Sequence, residues 1–238
     1  MTPHKTRIER WLPGVTQRWR VLKAGDKRWV AIWVMIYVMI ISLDMFLPHM
    51  EMQAVVVKYL GIFLCVVYAA SKFKRDTRLI FALLLTLLAD ALLMLMGALV
   101  LGLFVFCFVQ FFHTMRLTKI DSRFIVTYGL AVFVVFAAGL LLGMKALYVL
   151  AVIYAAGLLF NLRLAWQWRK KEPDSIRASC CWWGFLLFVL CDICVGLWYL
   201  GTIGEVSPPV MSIAGVLVFM FYYPSQVLIS NSSNLTEV

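Results

Sequence analysis

Runs of about 20 apolar residues recur along the chain, near 29–47, 54–70, 79–97, 98–115, 124–143, 146–167, 179–200 and 208–230. A run of that length without alternation predicts a helix hydrophobic all round, and such a helix needs lipid or protein on every side. The third and fourth runs merge into one apolar stretch over 79–115, about twice the thickness of a bilayer, and Gly97 offers a place for the chain to turn. The pattern therefore predicts an all-α, polytopic integral membrane protein of eight transmembrane helices. Its parts are a basic segment 1–28, a transmembrane domain 29–230 and a short tail 231–238.

The polar connections test that count, because alternate loops of a membrane protein differ in Lys and Arg content. Lys72, Lys74, Arg75 and Arg78 form one loop, Arg116, Lys119 and Arg123 a second, and Arg169, Lys170, Lys171 and Arg177 a third, all on the side of the basic N-terminus. The intervening loops carry little beyond Glu51, Lys145 and Glu205. By the positive-inside rule both termini are expected in the cytoplasm, with the chain a multi-pass protein of the plasma (inner) membrane. No small-residue cleavage site follows the first apolar run, so that helix reads as retained.

Composition agrees, with 63% of the 238 residues hydrophobic and only 14% charged. The net charge of +10 sits in short clusters between apolar runs, not in one stripe, so it reads as topology and not as a nucleic-acid footprint. Cys65, Cys107, Cys180, Cys181, Cys191 and Cys194 fall within or at the edge of apolar segments and read as buried small hydrophobes. Cys191 and Cys194 have C-x-x-C spacing without a second pair or a histidine cluster, so neither a metal nor another cofactor is expected. Gly139 and Gly143 form a small-xxx-small pair suited to close helix packing, and Asn231 and Asn234 head glycosylation-type triplets that a cytoplasmic tail would leave unmodified.

Ionisable residues inside the hydrocarbon cost about 2.5–3.5 kcal/mol each even on lenient insertion scales, so they are site candidates by default. They are Asp44, Lys58, Asp90, Arg163 and Asp192, with Gln110, His113 and Gln226 as polar companions. At about 1.5 Å per residue, Asp90 lies roughly 17 Å and Asp192 roughly 20 Å from the cytoplasmic start of their helices, so the two share a level. Lys58 is expected slightly above them, and Gln110, Tyr222, Tyr223 and Gln226 below, as the floor of a pocket or a route to it. Arg163 can snorkel to water, and Asp44 and His113 are expected near interfaces in structural roles. For Lys58, outward snorkelling competes evenly with a role as counter-ion or phosphate ligand.

The same positions carry a family resemblance. Lys58, the stretch Leu-Leu-Ala-Asp-Ala-Leu-Leu-Met-Leu ending at Leu95, Leu-Gly-Leu-Phe-Val-Phe from Leu101, Leu-Phe-Val-Leu-Cys-Asp ending at Asp192, and Tyr222 to Gln226 with Val227-Leu228-Ile229 resemble, in order, the YhhN-like membrane proteins that include the transmembrane lysoplasmalogenases. The likeness runs over 54–230. This chain departs from the family pattern at Ala89, Cys191 and Tyr59, and the family's fourth-helix His and Tyr fall on Gln110 and His113. The resemblance implies eight helices and hydrolysis of the vinyl-ether bond of a lysoplasmalogen to a fatty aldehyde and a glycerophospho-alcohol. It implies Asp90 and Asp192 as catalytic carboxyls, with Lys58, Gln110, His113, Tyr222, Tyr223 and Gln226 around the single-chain lysophospholipid. Such a bond is cleaved by protonation at carbon, and a second, ionised carboxylate suits the general base. A proton-coupled or small-solute transporter and a non-catalytic lipid-binding protein remain open alternatives. Headgroup, chain preference and oligomeric state are not legible in the chain.

Overall fold

The computed structural model describes residues 24–46, 51–73, 75–118 and 122–233. Most of the basic N-terminal segment, Lys74, Lys119 and the end of the tail with Asn234 therefore lie outside the described residues. Eight helices follow in order among the described residues: α1 Ala24–Phe46, α2 Glu51–Lys72, α3 Thr77–Met94, α4 Leu99–Leu117, α5 Ser122–Leu141, α6 Ala146–Lys171, α7 Ile176–Thr202 and α8 Pro208–Ser230. Seven are long and apolar enough to cross a membrane, and the apolar part of α5, Ile125–Leu141, is shorter. No strand occurs among the described residues. The protein is a multi-pass, all-helical membrane protein.

Each helix ends where its sequence stops supporting it. Gly97, Gly143 and Gly204 hold φ of 64°, 76° and 82° in the turns after α3, α5 and α7, a left-handed conformation that costs glycine little. The continuous apolar stretch 79–115 thus breaks at Gly97 as expected. Gly143 belongs to a turn and not to a helix–helix seam, which corrects half of the small-residue pair. Its partner Gly139 does pack closely, since a Cβ there would lie 2.6 Å from Val149 on α6. Asp76 and Ser175 cap α3 and α7 by accepting from the amides of Leu79 and Ala178 at 3.1 and 3.2 Å. Pro224 removes one backbone donor from inside α8 and frees the carbonyl of Met220, to which the Tyr37 hydroxyl of α1 donates at 3.3 Å.

Helix contacts close a ring. α2 packs on α3, α3 on α4, α4 on α6, α6 on α7, α7 on α8 and α8 back on α2, with α1 wedged against α2 and α8. α5 packs on α6 from outside the ring and leaves Val126, Leu130, Phe133 and Val134 exposed, as a helix bathed in lipid would. The helix ends at the basic face are tied together: Arg78 Nη1 donates to the Met115 carbonyl at 2.6 Å, Tyr68 to Asn231 Oδ1 at 2.7 Å, and Arg116 Nη1 to the Ser232 carbonyl at 2.8 Å. The space inside the ring holds the polar residues.

Candidate active site

Asp90 sits on α3 one turn before the helix ends at Met94, and is only 4% exposed. Its Oδ2 accepts from the Tyr222 hydroxyl of α8 at 2.6 Å. The two helices run in opposite directions, so a side chain leaning toward its own helix N-terminus points toward the middle of the membrane from α3 and toward the far face from α8. That lean lets Tyr222, whose backbone lies deeper from the far face, reach up to Asp90. Its expected place on the floor of the pocket is thereby given a partner.

Asp192 on α7 is arranged alike. Its Oδ2 accepts from the Tyr154 hydroxyl of α6 at 2.7 Å, but the residue is half-buried and not closed off. Tyr154 and the Cys191 thiol each lie within electrostatic reach of both carboxylates. An aromatic wall links the two pairs: Tyr222 meets Phe188 edge-on at 5.7 Å between ring centroids, Phe188 meets Phe106 at 6.3 Å, and Phe106 meets Tyr154 at 5.6 Å. Each carboxylate thus has its own phenol, and the two phenols are joined through the rings of Phe188 and Phe106.

A narrow cleft on the far-face side reaches Tyr222, is lined by neither aspartate and is too tight for a water molecule as the side chains stand. It is lined by Ile40, Lys58, Ile62, Met94, Phe219, Tyr222 and Tyr223 and encloses about 200 Å³ of empty space, its open mouth included. Lys58 stands in its wall, 11% exposed, with Nζ 2.7 Å from the carboxylate of Asp44 and 3.6 Å above the ring of Phe219. Phe219 in turn meets Tyr222 edge-on at 6.2 Å. Lys58 is therefore held as a counter-ion inside and does not snorkel, and Asp44 is its partner, not an isolated interfacial residue. Arg163 is exposed, in keeping with its structural reading.

The remaining candidates separate into another cluster. Gln110, His113 and Gln226 are fully buried and do not line the cleft. Asn161 of α6 donates to the backbone and side-chain oxygens of Gln110, both at 2.9 Å, and accepts from Thr114 at 2.9 Å. His113, expected at an interface, is buried against Phe185, with ring centroids 5.1 Å apart. Packing of α4 inside the ring carries it inward. Gln110 Nε2, His113 Nδ1, Gln226 Oε1 and the Tyr223 hydroxyl have no protein partner among the described residues. Tyr154, Asn161 and Thr114 are hydrogen-bonded members of these clusters that the sequence reading did not single out.

Order along the chain now ties these positions to relatives. The YhhN family model matches residues 53–233, which include Lys58, both aspartates and both tyrosines. The chain belongs to the YhhN family. Within that match lie α3 to α8 and all but the first two residues of α2, while α1 with Asp44 precedes it. No curated protein and no solved structure matches the chain. This YhhN-family chain also explains its own fourth-helix departures: Gln110 bonds to Asn161, whereas the hydroxyls that reach the aspartates come from α6 and α8.

Proposed function

We propose that the protein is a membrane-embedded, lysoplasmalogenase-like hydrolase that cleaves the vinyl-ether bond of a single-chain lysophospholipid in the plasma membrane. The observation that carries this reading is the pairing of Asp90 with Tyr222 and of Asp192 with Tyr154, joined through one row of aromatic rings, with Tyr222 also lining a cleft that has a cation in its wall. Family membership supports it at the level of the family.

The chemistry follows from the positions. Asp90 is shielded from water and meets the cleft only through Tyr222, so it serves as the acid. In the acid form the bond reverses, with protonated Asp90 donating to the Tyr222 oxygen and the phenol hydrogen turned to the substrate; as the carboxyl proton passes to the phenol oxygen, the phenol proton passes to the outer vinyl carbon, and the double bond's electrons leave an oxocarbenium ion next to the ether oxygen. The rings of Phe106 and Phe188, between the two phenols, are the nearest aromatic groups to stabilise that cation. Asp192, half-buried, takes a proton from water as it adds to the cationic carbon; the hemiacetal then collapses as that proton goes to the glycerol oxygen and the hemiacetal's own hydroxyl proton returns through Tyr222 to Asp90, which restores the acid. One vinyl ether and one water give one aldehyde and one alcohol. Lys58 draws the substrate phosphate to the cleft, and the chain lies among the apolar residues below.

The test is to incubate purified protein in detergent with a lysoplasmalogen and, separately, with the saturated alkyl-ether analogue in deuterated water. Aldehyde and glycerophospho-alcohol in equal amounts from the first, with one deuterium beside the aldehyde carbon and no product from the analogue, are expected. Equal cleavage of the saturated ether would refute protonation at carbon.

A further inference from the structure

Lys58 does not stand alone at the cleft. Its Nζ is 2.7 Å from Asp44, and the two side chains are only 11% and 14% exposed. Asp44 lies one helical turn beyond Ile40 on α1, as Lys58 lies one turn before Ile62 on α2, and both Ile40 and Ile62 line the cleft. The ion pair therefore sits on the cleft-facing stripes of both helices, close to the loop that joins them. Any lipid whose head stays at the far face while its chain enters the cleft must pass this pair.

Recognition of a phosphate by Lys58 then has a consequence. As the phosphate takes up the lysine's donors, it draws them from Asp44, and a nearly buried carboxylate left without its cation is penalised heavily. A headgroup bearing both a phosphate and an ammonium removes the difficulty, because its ammonium replaces Lys58 at Asp44 while its phosphate replaces Asp44 at Lys58. A purely anionic headgroup strands the carboxylate and adds repulsion.

We infer that Asp44 is a specificity-determining residue that reads the ammonium of a zwitterionic lysophospholipid headgroup while Lys58 reads its phosphate. The inference rests on the lysolipid reading of the cleft and adds a residue from α1, which precedes the family match. It involves binding alone and no covalent step.

The experiment measures binding, so that it stands apart from turnover. Saturated alkyl-ether lysophospholipids with a choline or a glycerol headgroup are titrated against the full-length protein in detergent, with tryptophan fluorescence as the readout. The unmodified protein is expected to prefer the choline form by about tenfold or more, Asp44→Asn to lose that preference and Asp44→Glu to retain it. Lys58→Gln weakens both ligands. Preference for the glycerol headgroup in the unmodified protein, or an undiminished choline preference in Asp44→Asn, overturns the inference; should Asp44→Asn not fold, Asp44→Asn combined with Lys58→Gln, which removes both charges of the pair, is compared with Lys58→Gln alone, and an equal choline preference in the two overturns it. Choline selectivity without aldehyde release would sink the hydrolase and leave Asp44's role standing.

Discussion

The Tyr222 hydroxyl donates to Asp90 at 2.6 Å and thereby joins α8 to α3 through the interior of the helix ring, across 132 residues of sequence. Both partners are buried, so the bond replaces water that neither group can reach. It also places a proton-bearing oxygen in the wall of the cleft, where the carboxyl itself is not exposed.

Removal of that oxygen separates the two phenols. Tyr222→Phe is expected to lower kcat for aldehyde release by about 100-fold, as loss of a positioned proton donor does, while KM changes little. Tyr154→Phe, which only orients Asp192, is expected to lower kcat by about tenfold. Steady-state kinetics on both variants gives the order; a larger loss from Tyr154→Phe would reverse the assignment of acid and base.

Asn161 has a structural task. It satisfies two oxygens of Gln110 and accepts from Thr114, all fully buried. Asn161→Leu leaves Gln110 Oε1 unpaired, while the Thr114 hydroxyl keeps its bond to the Gln110 carbonyl at 3.0 Å, and is expected to cost about 1–3 kcal/mol, seen as a lower thermal midpoint in detergent. Asp90 and Asp192 are untouched by the change, so kcat below the midpoint should be preserved; an unchanged midpoint would show that the cluster does not stabilise the ring.

Close packing of α7 on α8 rests on Gly184. A Cβ there would lie 2.8 Å from the Ile229 side chain, 3.1 Å from its amide nitrogen and 3.2 Å from the Ser225 carbonyl, and the backbone atoms cannot step aside. Gly184→Ala is expected to destabilise by about 1–3 kcal/mol. Gly196→Ala on the same helix meets nothing within 4 Å and is the control, with a thermal midpoint equal to or above that of the parent. Equal behaviour of the two alanines would contradict the packing.

The helices were legible because apolar length reports the bilayer directly, and the turn at Gly97 because a stretch twice the membrane's thickness must bend. Asp90 and Asp192 were legible because a charge in hydrocarbon is too costly to be incidental. Tyr154 was not, since a tyrosine in an apolar helix carries no such penalty and resembles any packing residue. Asn161 was missed though an amide at that depth also needs partners. The Lys58–Asp44 pair needed knowledge of which helix faces meet, as did the burial of His113, and a single sequence's periodicity does not hold that information. Gln110 and Gln226 were read correctly as polar residues inside the membrane, but the cleft passes them by.

The most direct test of the central claim compares aldehyde release from a lysoplasmalogen by the purified protein with release by Asp90→Asn and Asp192→Asn, each first shown to be monodisperse in detergent. Each amide keeps the shape of its carboxyl but neither gives nor takes the required proton, so a loss of about 100-fold or more is expected from either change. Both variants turning over as fast as the parent would contradict a site built on this pair.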